Sequence, residues 1–105
     1  MLILFAVYFL SEAGHICSDS EMMLINDMND CNNAVPWIQS VYANISSGVH
    51  REDTGLYPRG CNVFVHKNDS YGIFFNTDPS DKPNKYSRQV CVSGKFFNSF
   101  RLIDI

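Results

Sequence analysis

The chain has 105 residues and a net charge of −3, from 11 acidic and 8 basic residues. A balance this close to neutral argues against nucleic acid or an anionic membrane as an obligatory partner, because either would favour a basic protein surface. The length leaves room for one small domain with a single core, and a composition rich in Phe, Tyr, Ile and Val is typical of a globular protein.

The amino-terminal segment is typical of an export signal. Residues 2–10 are an unbroken apolar run, and Ser-Glu-Ala at 11–13 follows it as a small-x-small cleavage pattern. The run is too short for a membrane anchor, which needs about 20 apolar residues. We therefore predict that residues 1–13 are a signal peptide and that the mature chain, 14–105, is a single secreted, extracellular domain. The alternative is a buried amino-terminal strand.

Four cysteines follow the apolar run: Cys17, Cys31, Cys61 and Cys91. In an oxidising compartment an even number of cysteines in a small domain predicts two disulfides, with three possible connectivities. The spacings contain no Cys-x-x-Cys pair and no His-x-x-x-His pair, so the pattern does not favour a zinc site.

The first half of the mature chain predicts a strand and then a helix. A short apolar run within Glu21–Asn26 indicates the first strand. One of two adjacent asparagines then caps a helix over Ala34–Asn44, in which Pro36 must lie in the first turn. The polar segment Ser46–Gly60, interrupted by glycine and proline, is predicted to be a loop.

The second half predicts a hairpin, a short helix and a last strand. Cys61–His66 alternates with period two and Tyr71–Phe75 forms the second arm, with turn residues at Lys67–Ser70 between them. A short helix is predicted from Asn84 to Cys91, and Phe96–Ile105 is predicted to be the final strand.

This order of elements predicts an α+β fold. Strand, helix, hairpin, helix and strand correspond to a split βαβ (ferredoxin-like) antiparallel sheet with two helices on one face, stapled by two disulfides. In that layout the start of the first helix and the end of the second lie at the same end of the sheet. The preferred pairing is therefore Cys31–Cys91 with Cys17–Cys61, and the other connectivities stay open.

Two Asn-x-Ser sequences support the extracellular prediction. Asn44 and Asn68 each begin an acceptor motif for N-glycosylation with no proline inside it. Each falls in a predicted loop or at the end of an element, where a glycan is accessible.

Three short motifs around the cysteines carry a resemblance to a known group. They are Asp-Cys-x-x-Ala at 30–34, Gly-Cys-x-Val-x-Val at 60–65, and Cys-Val from Cys91 followed by Gly94. Together they resemble the fungal small secreted cysteine-rich proteins, which include host-directed effectors and α/β killer-toxin folds. The resemblance implies secretion and a disulfide-stapled α+β sandwich, and it implies no catalytic residues.

One cluster of side chains suggests an enzyme. His50, Arg51 and Glu52 are consecutive, Tyr57 is near them, and His66 ends the following predicted strand. A ribonuclease that cleaves through the 2′-hydroxyl needs a general base, a general acid and a cation, and these residue types supply those roles. The alternative interpretation is a solvated loop. The histidines have no metal-ligand spacing, and no metal or cofactor is predicted.

The favoured hypothesis is a secreted, non-enzymatic interaction protein with an unknown extracellular or host protein as its partner. The sequence has no basic amphipathic helix, so stable membrane insertion is not expected. Phe74-Phe75 and Phe96-Phe97 place adjacent aromatic residues on opposite strand faces, so one member of each pair is expected to face away from the main core. Such an aromatic side chain is a candidate anchor for a partner.

Overall fold

The computed structural model describes residues 7–20, 22–65 and 71–93. These residues form one α-helix, a short 3-10 helix at Cys17–Ser20 and six strands. In chain order the elements are β1 (Tyr8–Leu10), β2 (Met23–Leu24), α1 (Met28–Val41), β3 (Val49–Glu52), β4 (Gly60–Val65), β5 (Tyr71–Asn76) and β6 (Ser87–Val92).

The strands form a mixed sheet with the order β1-β6-β4-β5-β3. Neighbouring strands are antiparallel except for β3, which pairs parallel to β5 at the edge of the sheet. Val92 pairs with Tyr8 on one side and with Met23 on the other, so β1 and β2 flank β6. The Cys61 amide donates to the Ile25 carbonyl, so β2 lies end to end with β4. Gly60 permits this approach, because a Cβ there would collide with the Ile25 carbonyl.

Helix α1 begins earlier than the sequence predicts. Asp27 is its cap, and the carboxylate accepts hydrogen bonds from the amides of Asn29 and Asp30. The satisfied first-turn amides fix the start at Met28, so Pro36 lies inside the helix and not in its first turn. Because proline has no N–H, it interrupts the hydrogen-bond ladder at that point.

The hydrophobic core lies between α1 and one face of the sheet. Alternation along the strands places the apolar residues of β4, β5 and β6 on this face. The buried residues that pack here are Ala34, Val35 and Ile38 from the helix and Val63, Ile73, Phe75 and Val90 from the sheet. Val63 of β4 and Ile73 of β5 lie opposite each other on this face and are fully buried.

The opposite face of the sheet is covered by loops and carries fully buried polar side chains. The Gln89 amide accepts a hydrogen bond from the backbone N–H of Cys17 at 2.6 Å and donates to the Arg59 carbonyl at 2.6 Å and to Asp81 at 2.9 Å. One strand side chain therefore holds three separate segments of loop. A buried polar group needs such partners, and here two of the three are backbone groups that would otherwise be unsatisfied, the third being the Asp81 carboxylate.

Asn76 has the same role at the other end of this face. Its amide nitrogen donates to the carbonyls of Thr54, Tyr57 and Pro58, and its amide oxygen accepts from the Thr54 amide. The chain between β3 and β4 is thus fixed to the sheet at several points along its backbone.

The two disulfides lie on opposite faces of the sheet and pair Cys31 with Cys61 and Cys17 with Cys91. The preferred pairing of Cys31–Cys91 with Cys17–Cys61 is therefore wrong. In β4, Cys61 faces the helix, where the first turn of α1 brings Cys31 over it. Cys91 lies on the loop-covered face with Gln89, and the 3-10 helix brings Cys17 there.

The α+β class and the two disulfides agree with the sequence prediction, but the finer layout differs. The predicted hairpin is confirmed, since β4 and β5 pair antiparallel. The predicted helix over Asn84–Cys91 is wrong, because most of this segment forms β6. The described residues therefore contain one α-helix and not two, and their parallel β3–β5 pair does not match the antiparallel sheet that was predicted. The predicted last strand, Phe96–Ile105, lies outside the described residues.

Part of the predicted signal peptide pairs with the sheet in the structure of the full chain. Strand β1 pairs with β6, the Tyr8 ring lies 5.5 Å from the Trp37 ring, and Ser11 is buried. Removal of residues 1–13 remains a prediction, and it would leave one edge of β6 unpaired between Val90 and Val92. No helix among the described residues is both long and apolar enough to span a bilayer.

Of the two predicted glycosylation sites, one falls on described residues. Asn44 is exposed in the turn that follows α1, where a glycan is sterically accessible. Asn68 lies outside the described residues. Attachment of a glycan at either asparagine stays a prediction.

Candidate binding pocket

A cavity of about 240 Å³ opens beside the edge strand β3, on the loop-covered face of the sheet. Strands β3, β4 and β5 and the loop between β3 and β4 each contribute to its wall. The lining residues are His50, Glu52, Tyr57, Phe64, Gly72, Ile73 and Phe74. We call this cavity the aromatic pocket.

Strand β3 brings two polar side chains to the mouth of the pocket. His50 and Glu52 are two residues apart on one strand, so they share a face, with their Cα atoms roughly 6.5 Å apart. They lie opposite Phe74 and Asn76 in the parallel ladder, and both are exposed. Arg51 lies between them and therefore faces the other side of the sheet.

Three aromatic rings form the wall of the pocket. The Tyr57 ring meets the Phe64 ring at 6.0 Å and 88°, and it meets the Phe74 ring at 5.4 Å and 65°. These edge-to-face arrangements are the ones that aromatic quadrupoles favour. Phe74 is buried, whereas Tyr57 and Phe64 are partly exposed, so ring surface remains accessible from the mouth.

Gly72 creates the open space between these rings. It lies directly opposite Phe64 in the β4–β5 ladder, on the pocket face of the sheet. A Cβ at Gly72 would meet no atom within 4 Å, and the residue does not have a positive φ. The backbone therefore accepts a larger residue here, and that side chain would fill the pocket.

The structure gathers some of the predicted site residues and separates others. His50, Glu52 and Tyr57 line one cavity, although a loop position for the first two gave no reason to expect convergence. Arg51 points away from them, and His66 lies outside the described residues. Of the adjacent phenylalanines, Phe75 packs in the core and Phe74 faces the pocket, as strand alternation predicts.

A second cavity depends on the predicted signal peptide. It has a volume of about 630 Å³ and is lined by Tyr8 together with Met23, Asp27 and Asp30. Burial raises the pKa of the Tyr8 phenol, and the negative charge of Asp30 raises it further. Because Tyr8 precedes the predicted cleavage site, this cavity would not survive in its present form in a mature chain.

The described residues contain no group of three or more His, Cys, Asp or Glu side chains placed to hold a metal ion. Comparisons with protein-family models, curated proteins and solved structures found no match to this chain.

Proposed function

We propose that the chain is a secreted, non-enzymatic interaction protein of the effector-like kind, and that it binds an extracellular or host protein through the aromatic pocket. The aromatic pocket is the observation that supports this proposal, since it combines accessible ring surface with polar groups at its mouth. Three aromatic side chains, Tyr57, Phe64 and Phe74, contribute to the lining of this one cavity. The disulfides fit a protein that works in an oxidising compartment.

The size of the pocket favours a protein partner over a large free ligand. At about 240 Å³ it is smaller than the roughly 300–1,000 Å³ of pockets that enclose drug-sized molecules. It is suited to one side chain inserted from a partner, and such inserted anchors dominate the affinity of many interfaces. Leu56, on the same loop as Tyr57, is 64% exposed and adds apolar surface nearby.

The loop that forms one wall of the pocket is already ordered in the free protein. The Asn76 amide binds the Tyr57 and Pro58 carbonyls, and the Arg59 amide donates to Asp81. The loop that carries Tyr57 therefore loses little further conformational entropy on binding. Preorganisation of this kind raises affinity because less ordering remains to be done in the complex.

A displayed peptide library tests the proposal with Gly72→Val as the decisive variant. We expect the mature protein to select a related set of peptides, and Gly72→Val to weaken their binding at least tenfold because valine occupies the space between the rings. Stability should stay the same or rise, since valine is favoured in strands. Affinities from calorimetry and thermal unfolding of both proteins provide the measurement.

Arg51→Ala is the matched control, because it changes a neighbouring strand residue on the opposite face. It should leave the peptide affinities unchanged. Selection of no peptides, or of peptides that bind Gly72→Val as well as the wild type, would refute the proposed function.

The second candidate is a secreted ribonuclease-like hydrolase, and the shared position of His50 and Glu52 is the observation that favours it. The two side chains supply a base and an acid at one cavity. Among the described lining residues, however, no arginine or lysine is present to stabilise a phosphate, because Arg51 faces away. The cation that this chemistry requires is therefore not part of the described pocket.

We expect purified mature protein to show no cleavage of single-stranded RNA above the level of His50→Ala. Product analysis by gel electrophoresis, with His66→Ala as a further variant, measures this directly. Cleavage that both substitutions abolish would establish the hydrolase in place of the interaction protein.

A further inference from the structure

We infer that the aromatic pocket selects the guanidinium group of an arginine side chain, so that the partner presents an exposed arginine. The inference rests on the proposed function and specifies its ligand. It depends on three properties of the pocket: an uncompensated carboxylate, accessible ring faces and a small volume.

The carboxylate of Glu52 is the first property. It is exposed at the pocket mouth and has no ion-pair or hydrogen-bond partner among the described residues. Arg51 lies on the other face of the strand, and His50 shares the pocket mouth but forms no ion pair with Glu52 in the described structure; the whole chain carries a net charge of −3. A cation entering the pocket therefore meets a favourable field and displaces no internal partner.

The aromatic rings are the second property. Tyr57 and Phe64 are partly exposed, and their rings stand almost perpendicular, at 88°, whereas Phe74 is buried and closes the wall of the pocket. The face of an aromatic ring carries the negative part of its quadrupole and attracts a cation. The same protein already contains such a contact elsewhere, where the Lys85 ammonium lies 5.0 Å from the centre of the Tyr86 ring.

The Glu52 carboxylate and the aromatic rings together determine which ligand fits the pocket. A guanidinium is flat and weakly hydrated, so it stacks on a ring face with a small loss of hydration. Its edge carries N–H donors in a fork that matches a carboxylate such as Glu52. A neutral aromatic side chain would fill the same space but would leave the carboxylate partly desolvated without a partner.

The test compares blocked arginine with blocked citrulline, which has nearly the same shape and no charge. We expect arginine to produce saturable shifts in the NMR signals of the Tyr57 and Phe74 rings, and citrulline to bind at least tenfold more weakly. Glu52→Gln should weaken arginine binding severalfold and leave a residual preference for arginine over citrulline, which the aromatic rings supply. Glu52 is exposed on an edge strand, so this variant is expected to fold, and thermal unfolding checks that it does.

A second measurement uses the peptides that the library selects. Each should contain an arginine, and its replacement by citrulline should weaken binding to the wild type at least tenfold and binding to Glu52→Gln much less. Equal binding of arginine and citrulline, or an unchanged affinity in Glu52→Gln, would overturn the inference. If the selected peptides still depend on Gly72, the pocket binds a partner and only the choice of ligand is wrong.

Discussion

Replacing Gln89 with leucine is expected to lower the free energy of unfolding by about 3 kcal/mol, because it leaves the buried Cys17 amide and the Arg59 carbonyl without partners. Leucine has a similar volume, so loss of packing contributes little. The substitution also releases Asp81, which the Gln89 amide contacts directly. Urea unfolding followed by tryptophan fluorescence measures the change.

Gln39→Leu is the matched control for this prediction. It makes the same chemical change on α1, at a partly exposed position where the side chain makes no hydrogen bond to a loop within the described part of the chain. We expect it to alter the free energy of unfolding by less than about 0.5 kcal/mol. Equal effects of the two substitutions would show that Gln89 does not anchor the loops.

Removing the Cys17–Cys91 disulfide is expected to have the largest effect on stability of any change considered. The bridge joins residues 74 positions apart, and the Cys31–Cys61 bridge shortens the loop that it closes to about 45 residues, so the double variant Cys17→Ala/Cys91→Ala should lose about 4 kcal/mol through the added entropy of the unfolded chain. That loss approaches the whole stability of many small domains. The variant is therefore expected to be largely unfolded at 37 °C, as judged by circular dichroism.

The second bridge provides the comparison. It spans 30 positions, so Cys31→Ala/Cys61→Ala should lose about 3.5 kcal/mol and remain the more stable of the two double variants. The opposite order of stability would contradict the loop-length argument.

Peptide mapping of the secreted, deglycosylated protein checks the pairing itself. Fragments that contain Cys17 and Cys91 should be joined, and the intact mass should show both bridges and a chain that begins at Gly14. A Cys31–Cys91 fragment would contradict the structure. A chain that retains residues 1–13 would contradict the export prediction and leave β1 in the sheet.

The sequence predicts the parts of the fold that rest on a clear periodicity. The hairpin follows from alternation on both sides of a polar segment, and the four-residue spacing of Ala34 and Ile38 places both on the core face of α1, although Val41, near the end of the helix, is 47% exposed. The helix start is misplaced because Asp27 competes with the two asparagines as a cap, and local composition does not decide between them.

The segment that contains β6 is the main failure, and it has a physical cause. Its alternate positions hold Ser87, Gln89 and Cys91 on one face, and these polar or small residues are fully buried under loops. A polar residue that faces loop backbone looks like a solvent-exposed residue in the sequence, and this leaves Tyr86 and Val90, four residues apart, as an apparent helical stripe. The cysteine pairing then failed as well, because it depends on the face that Cys91 occupies.

The candidate site is predictable only in part for a related reason. His50, Glu52 and Tyr57 attract attention by their chemistry, whereas the roles of Phe64 and Gly72 depend on their being opposite each other in the β4–β5 register. With the predicted turn Lys67–Ser70, the hairpin register would place Phe64 opposite Ile73, one residue away from the observed pair, so the sequence prediction does not identify the pocket face. The parallel pairing that places β3 beside Phe74 had no signal in the sequence.

Asn62, Asn76 and Gln89 use their side-chain amides mainly to hold the main chain of the loops. Carbonyl and amide groups are common to every residue type, with proline lacking only the N–H. Most exposed loop positions are thus free to change identity during evolution while the path of the loop is conserved. A descendant can replace Tyr57 or Leu56 and acquire a new recognition surface on an unaltered framework.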